Sequence, residues 1–203
     1  MLGHRKQTPY DGGDRPSAVV VGLGNPGTEY SRTRHNAGSD AVDILAGRLG
    51  ANFKKDRSSG CRLAKVNRSN QAVLLAIPLT YMNESGVSVR SVLKMFPLDE
   101  ISSLIVVHDE MDIDPGRIKI RVGGGAAGHN GIKSIMDHLH SGGFTRVRIG
   151  IGSPPSKEVG AKYVLSRPVG TDRELLDSGI SKAVEAVESI ISQGVDVAMR
   201  SYN

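Results

Sequence analysis

The chain has 203 residues, of which 38% are hydrophobic and 23% are charged, so it is long enough to bury the core of one domain, with or without a small appendage. Its net charge of +5 and sequence pI near 9.4 favour an anionic partner. No run approaches the ~18 apolar residues of a membrane-spanning helix, and the single cysteine, Cys61, excludes an internal disulfide and suits a reducing compartment.

The first stretch of the chain is polar. Residues 1–16 contain glycine and lack the apolar centre of a secretory signal, so we expect neither a signal peptide nor a membrane anchor there. We predict a mobile tail over residues 1–17 and one folded domain over residues 18–203.

Apolar periodicity predicts the elements of the first half. A short β-branched run closed by glycine predicts a buried strand at 19–22. A helix that stops near Gly50 is predicted by an apolar stripe of Val42, Ile44, Leu45 and Leu49. Two neighbouring strands follow at 63–66 and 72–77, joined by a turn at 67–70. Cys61 opens the alternating segment 61–66 and is predicted to be a small core residue rather than a nucleophile.

The second half continues the alternation. Asn83 stands at or beside the start of a helix whose apolar residues are Val89, Val92, Leu93 and Phe96. Strands are predicted at 104–108, 118–122 and 147–151, and a further helix carries Ile132, Ile135, Met136 and Leu139. Thr171 and Glu174 fit a capping box for a long final helix. This order predicts an α/β fold, a single-domain sandwich in which helices surround a central mixed β-sheet.

The loop after the first strand combines positive charge with a titratable side chain. Arg32, Arg34, His35 and Asn36 lie within five residues. An imidazole held by a rigid strand can act as a base near neutral pH, so we interpret this loop as one wall of a hydrolytic site. A solvated basic loop remains the alternative from the residues alone.

Two other kinds of site are disfavoured. Gly22, Gly24 and Gly27 fit the dinucleotide-binding spacing, but Pro26 removes an amide from the phosphate cradle and no acidic residue closes a second strand about twenty residues on. A cluster of carboxylates, Asp109, Glu110, Asp112 and Asp114, has the chemistry of a hard-cation site. The adjacent Pro-Gly pair favours an acidic turn instead, so we expect no metal and no cofactor.

Cations alternate along two predicted strands. Arg117, Lys119 and Arg121 share one strand face, and Arg146 and Arg148 share another. Guanidinium groups suit phosphate oxygens, which favours a nucleic-acid partner. A solvated, charged edge strand is the alternative.

Several motifs resemble one family. Segments 30–43 (Y-S-R-T-R-H-N-A-G-S-D-A-V-D) and 125–135 (G-A-A-G-H-N-G-I-K-S-I) resemble the two signature segments of bacterial peptidyl-tRNA hydrolase. G-L-G-N-P-G, Y-M-N-E-S-G and V-H-D-E-M-D resemble its other landmarks, in the same order. The resemblance runs from about residue 18 to residue 203. It implies a monomeric cytoplasmic esterase without a cofactor, which recycles tRNA by cleaving the ester of prematurely released peptidyl-tRNA.

The resemblance also implies roles for individual residues. The catalytic set is His35, Asp109, Asn25 and Asn130, with His35 as the base and Asp109 as the carboxylate that orients it. The peptide cleft is lined by Tyr30, Tyr81, Met82, Asn83 and Asn130. Arg121 and Arg148 fall where the family contacts the 5′-phosphate at the tRNA acceptor stem. The chain departs from the family at Arg121, where lysine is frequent, and at Ala127, where glycine is common.

The chemistry agrees with these roles. A neutral imidazole can take a proton from water if a carboxylate fixes its other nitrogen, and side-chain amides can stabilise the oxyanion. No serine lies in a G-x-S-x-G elbow, which favours direct attack by water over an acyl-enzyme. The alternative is an RNA-binding relative that has lost the activity, similar to the chloroplast splicing factors that resemble this family.

Overall fold

The structure is a computed structural model that describes residues 15–68, 71–154 and 156–203. Most of the predicted tail at 1–17 and residues 69–70 of the turn predicted at 67–70 lie outside the described residues. Within these ranges seven strands form one sheet in the order β2-β3-β4-β1-β5-β7-β6. The strands are β1 (Ala18–Gly22), β2 (Lys54–Asp56), β3 (Cys61–Arg68), β4 (Gln71–Pro78), β5 (Leu104–Glu110), β6 (Ile118–Val122) and β7 (Thr145–Gly150).

The sheet is mixed, as predicted. Its centre is parallel, because β1 pairs with both β4 and β5, and β5 pairs with β7, all in the same direction. The strands β2, β3 and β4 form an antiparallel meander on one side, and β6 is antiparallel to β7 on the other. Parallel central strands place their carboxyl ends at one edge of the sheet, where ligands bind in open α/β folds.

Helices cover both faces of the sheet. They are α1 (Ala37–Arg48), α2 (Ser85–Met95), α3 (Asn130–Leu139), α4 (Gly160–Val164), α5 (Thr171–Gln193) and α6 (Val195–Tyr202). Helices α1, α5 and α6 pack on one face with Val20, and α2 and α3 pack on the other with Val19 and Val21. Successive valines of β1 therefore enter two separate cores, which explains why this strand is continuously apolar.

Several predicted details are wrong. Thr171 is the first residue of α5 rather than its cap, no side-chain hydrogen bond caps that end, and α6 follows α5 after a break at Gly194. Ile44 was predicted to join the apolar stripe of its helix but is 44% exposed. The strand predicted to end at residue 108 continues to Glu110, because pairing with β7 carries the ladder on.

Among the described residues, no helix has the length and apolar character needed to span a membrane.

Candidate active site

The site lies at the carboxyl edge of β1 and β5, where the start of α1 touches the sheet. Gly38, in the first turn of α1, packs so closely that an added Cβ would lie 2.2 Å from the carbonyl oxygen of Val107. The amide of Ser39 donates to the carbonyl of Leu23 at 2.8 Å, which fixes the helix against the end of β1. This approach brings the preceding 3₁₀ turn, Arg34–Asn36, to the end of β5.

His35 and Asp109 meet at this point, and both are buried. Nδ1 of His35 lies 2.9 Å from each carboxylate oxygen of Asp109. The neighbouring Arg34 is also buried and binds Ser166 and Asp172, with its guanidinium 4.3 Å from the ring centre of Tyr163. The alternative of a solvated basic loop is therefore wrong.

A second histidine binds the same carboxylate. Nε2 of His129 lies 3.0 Å from Oδ1 of Asp109. The other ring nitrogen of His129 caps α3, because Nδ1 accepts the backbone N–H groups of Gly131 and Ile132 at 3.1 and 3.3 Å. Nδ1 therefore carries no proton, and Nε2 must carry one and donate it to Asp109. The carboxylate accepts hydrogen bonds from two imidazoles at once.

The protonation of His35 and Asp109 follows from this geometry. Burial alone would raise the pKa of Asp109, but the two histidines hold it far below its ordinary value, so the group is a carboxylate. Burial would lower the pKa of His35, and the charge and hydrogen bond of Asp109 outweigh that effect and raise it. Neutral His35 donates through Nδ1 to Asp109 and keeps the lone pair of Nε2 for a substrate or water.

The same three side chains have the chemistry of metal ligands. Their donor atoms lie within 4.8 Å of one another, and in the described part of the chain no other group of this kind occurs. A metal at this position would need the lone pair of His129 Nε2, which holds a proton while Nδ1 caps α3. The donor set therefore fits a hydrogen-bonded network better than a cation site.

The carboxylates of the predicted acidic turn face different partners. Glu110 binds Arg148, and the exposed Asp114 lies 3.9 Å from Arg117. Asp109 and Glu110 are strand residues rather than loop residues, and as neighbours in β5 they point to opposite faces. These groups do not form one ligand set.

A cavity of about 200 Å³ opens over the histidines. Its wall includes His35, Asp109, His129 and Asn130, and α4 contributes Ala161 and Val164. Asn130 is the exposed first residue of α3, so its amide stands at the same cavity as His35.

The remaining predicted site residues lie in two places, one around Asn25 and one where two tyrosines meet. Asn25 accepts the backbone N–H of Met82 through Oδ1 at 2.8 Å, and its own backbone exchanges two hydrogen bonds with the side chain of Asn36 at 2.9 Å. Tyr30 and Tyr81 meet edge to face, with ring centres 6.4 Å apart. Asn83 follows Met82 on the 3₁₀ turn Met82–Glu84, and its side chain is exposed.

The two predicted phosphate ligands share a second cavity. Arg121 and Arg148 line a space of about 270 Å³ together with Arg146, His108 and the glycine-rich loop 124–127. Arg121 is exposed, whereas Arg146 is only 4% exposed. The side chain of Arg146 donates hydrogen bonds to the carbonyls of Gly124 and Gly125. The prediction that Arg146 belongs to an open cationic face is wrong, because the side chain is buried and its terminal nitrogens bind those carbonyls.

His129 is a site residue that was not predicted from the sequence, and Arg146 was predicted with the wrong surroundings. A signal for His129 was present, since it directly precedes the first residue of α3, where a side-chain acceptor caps a helix. Arg146 gave no such signal, because its partners are backbone carbonyls about twenty residues away.

Comparisons with known proteins give a consistent result. A family model described as peptidyl-tRNA hydrolase matches residues 19–203. The chain is 46% identical to a peptidyl-tRNA hydrolase of Mycobacterium sp. (strain KMS) over 180 residues, which cover 89% of this chain and 93% of that protein. It is 42% identical to one from Cutibacterium acnes, with 93% and 98% covered. The crystal structure of peptidyl-tRNA hydrolase from Acinetobacter baumannii superposes with a TM-score of 0.88 at 38% identity, covering 94% of this chain and 97% of that one.

Proposed function

Because the chain belongs to the peptidyl-tRNA hydrolase family, whose enzymes hydrolyse the ester between peptide and tRNA, we propose that His35 and Asp109 activate the water for this hydrolysis. The observation that carries the proposal is the position of His35: Nδ1 is held at 2.9 Å by an ionised carboxylate, so Nε2 is left as the base.

The proposed reaction proceeds in two steps. Nε2 of His35 takes a proton from water while the water oxygen attacks the ester carbonyl, and a tetrahedral oxyanion forms. The amide of Asn130, which lines the same cavity as His35, is the candidate donor to this oxyanion. The intermediate then collapses, the bond to the ribose oxygen breaks, and the imidazolium returns its proton to that oxygen. Asp109 stabilises the imidazolium and holds the ring in one tautomer.

The binding-only alternative is not favoured. A protein that merely binds RNA has no need of a buried carboxylate that accepts from two imidazoles, and burying a charge is costly unless it is paired in this way. The relatives over nearly the whole chain are named as hydrolases.

The decisive experiment is turnover of N-blocked aminoacyl-tRNA by protein dialysed against a chelator. We expect hydrolysis without added metal, and much slower release from tRNA whose amino acid has a free amine, since that ammonium would be desolvated in the cleft. His35→Ala should lower kcat by at least ~10²-fold because general-base catalysis contributes about that much. His140→Asn, a change at an exposed histidine with left-handed backbone, is the matched control and should retain activity. Tight RNA binding with no hydrolysis by the unaltered protein would contradict the proposal.

We further propose that Arg121 and Arg148 bind the 5′-terminal phosphate of tRNA, and that the protein acts as a cytoplasmic monomer. The role of the two arginines is supported by the cavity that they share. This cavity lies beside the one that contains His35, and Glu110 and Ala127 line both. Replacing either arginine with alanine should raise KM for 5′-phosphorylated tRNA more than for dephosphorylated tRNA. Arg117→Ala removes an exposed cation outside the cavity and should affect both substrates equally. Equal effects of all three changes would indicate diffuse attraction.

A further inference from the structure

One side of the Arg148 guanidinium already binds a carboxylate of the protein, that of Glu110. Its Nε and Nη2 both donate to Oε2 of Glu110, at 3.0 and 2.8 Å. Both side chains are largely buried, 19% exposed for Arg148 and 7% for Glu110. A charge-assisted contact of this kind holds a flexible guanidinium in one orientation.

The remaining donors of the cavity are unequally available. Arg146 directs its terminal nitrogens to backbone carbonyls of the glycine-rich loop and of Gly142. Arg121 has no ion-pair partner within the ranges that the structure describes, and it is exposed. Glu110 occupies the Nε–Nη2 side of Arg148, so the end of that guanidinium, between Nη1 and Nη2, keeps a fork of two N–H groups for a ligand.

The charge of the cavity is also set by Glu110. Three arginines and one glutamate leave a formal charge of +2. Burial, reinforced by the nearby His129, lowers the pKa of His108 to about 3, so this histidine adds no charge. A phosphate monoester carries about −1.5 to −2 near neutral pH, whereas each phosphate inside an RNA strand carries a single negative charge. The cavity therefore matches a chain end better than an internal phosphate.

We propose that Glu110 is a positioning and specificity residue for the terminal phosphate, acting by holding the free end of the Arg148 guanidinium toward the cavity. This inference rests on the phosphate site proposed above. The two strands provide the rigid frame, since Arg148 lies opposite His108 in the β5–β7 ladder and Glu110 is two residues along β5 on the same face. Without Glu110 the arginine side chain keeps its charge but loses its direction.

The test is the ratio of kcat/KM for 5′-phosphorylated over dephosphorylated N-blocked aminoacyl-tRNA. Glu110→Ala should lower this ratio at least threefold, toward the value of Arg148→Ala, and the double variant should be no lower than Arg148→Ala alone. Glu110→Gln should lower it less, because the amide oxygen still accepts from Arg148. Asp112→Asn is the matched control: it removes one negative charge from the exposed turn next to Glu110 and should keep the ratio of the unaltered protein.

The outcomes separate the two proposals. If Arg148→Ala lowers the ratio and both Glu110 variants retain it, the phosphate site stands and the role of Glu110 is overturned. Equal changes for Glu110→Gln and Asp112→Asn would overturn it as well, since net charge alone would then explain the effect. Unchanged ratios for Arg121→Ala and Arg148→Ala would instead reject the phosphate site. If Glu110→Ala does not fold, the isosteric Glu110→Gln decides.

Discussion

At the scale of single residues, the proposed chemistry depends on which hydrogen bonds the carboxylate of Asp109 accepts. A buried carboxylate with one imidazole partner would leave acceptor capacity unused, and the second imidazole, His129, uses it. His129 is in turn fixed by the first backbone amides of α3. The orientation of the Asp109 carboxylate, and with it that of His35, is thereby tied to the start of α3.

The pH dependence of activity tests the pairing of His35 with Asp109. Since the pKa of His35 is raised, the imidazole is protonated and inactive at low pH, and kcat/KM should rise with pH through a midpoint above 6.5. In Asp109→Asn, burial remains and the raising influence is lost, so this midpoint should fall while the plateau drops. Kinetic pH profiles of both proteins give the answer, and a midpoint unmoved by the substitution would contradict the pairing.

The two contacts of His129 can be tested separately. His129→Asn keeps a side-chain acceptor that can cap α3 but is too short to retain the bond to Asp109. We expect it to lower kcat at least ~10-fold with little change in melting temperature, because an orienting contact is lost while the cap remains. His129→Ala should lose kcat and also about 1 kcal/mol of stability. Unchanged kcat in the asparagine variant would show that Asp109 does not need its second partner.

At the scale of secondary-structure elements, the contact between α1 and the sheet decides where His35 lies. The helix approaches through glycine: Gly38 meets the backbone of β5, and Gly22 in β1 would carry a Cβ 2.5 Å from the carbonyl of Gly38. A side chain at either position would push α1 outward. The 3₁₀ turn that carries His35 would move with it.

Two glycines of α1 provide a matched pair of substitutions. Gly38→Ala should cost about 1–3 kcal/mol through overpacking, and it should lower kcat strongly because His35 shifts relative to Asp109. Gly47, in the last turn of the same helix, faces open space, so Gly47→Ala should raise stability by up to ~1 kcal/mol and leave kcat unchanged. Denaturant unfolding and turnover should be measured together. A Gly38→Ala enzyme with full activity would show that the site tolerates movement of α1.

At the scale of the whole molecule, local patterns predicted the architecture better than the contacts within it. Short β-branched runs such as the one in β1 predict buried strands regardless of their partners, so the mixed sheet could be predicted. Chemistry and family resemblance predicted that His35 and Asp109 act together, and the structure places them 2.9 Å apart. The burial of Arg146 could not be predicted, because alternation in a strand shows which residues share a face but not whether loop carbonyls cover that face.

The same limit explains the errors at helix ends. Thr171 and Glu174 have the spacing of a capping box, yet Gly170 takes the cap position with positive φ, and no side chain caps the helix. Whether a threonine caps a helix depends on the path of the chain entering it. That path is set by tertiary packing rather than by the four residues of the motif.

The parallel pairing of β1 also determines when this protein becomes active. Val19 pairs with Leu104, and His35 and Asp109 are 74 residues apart in the chain. A ribosome adds roughly 5–20 residues per second, so β1 waits several seconds for the strand that completes its ladder. A nascent chain abandoned before residue 109 contains His35 but lacks Asp109, its proposed partner in catalysis. Such a fragment, still attached to its tRNA, is itself a molecule of the class that finished copies hydrolyse.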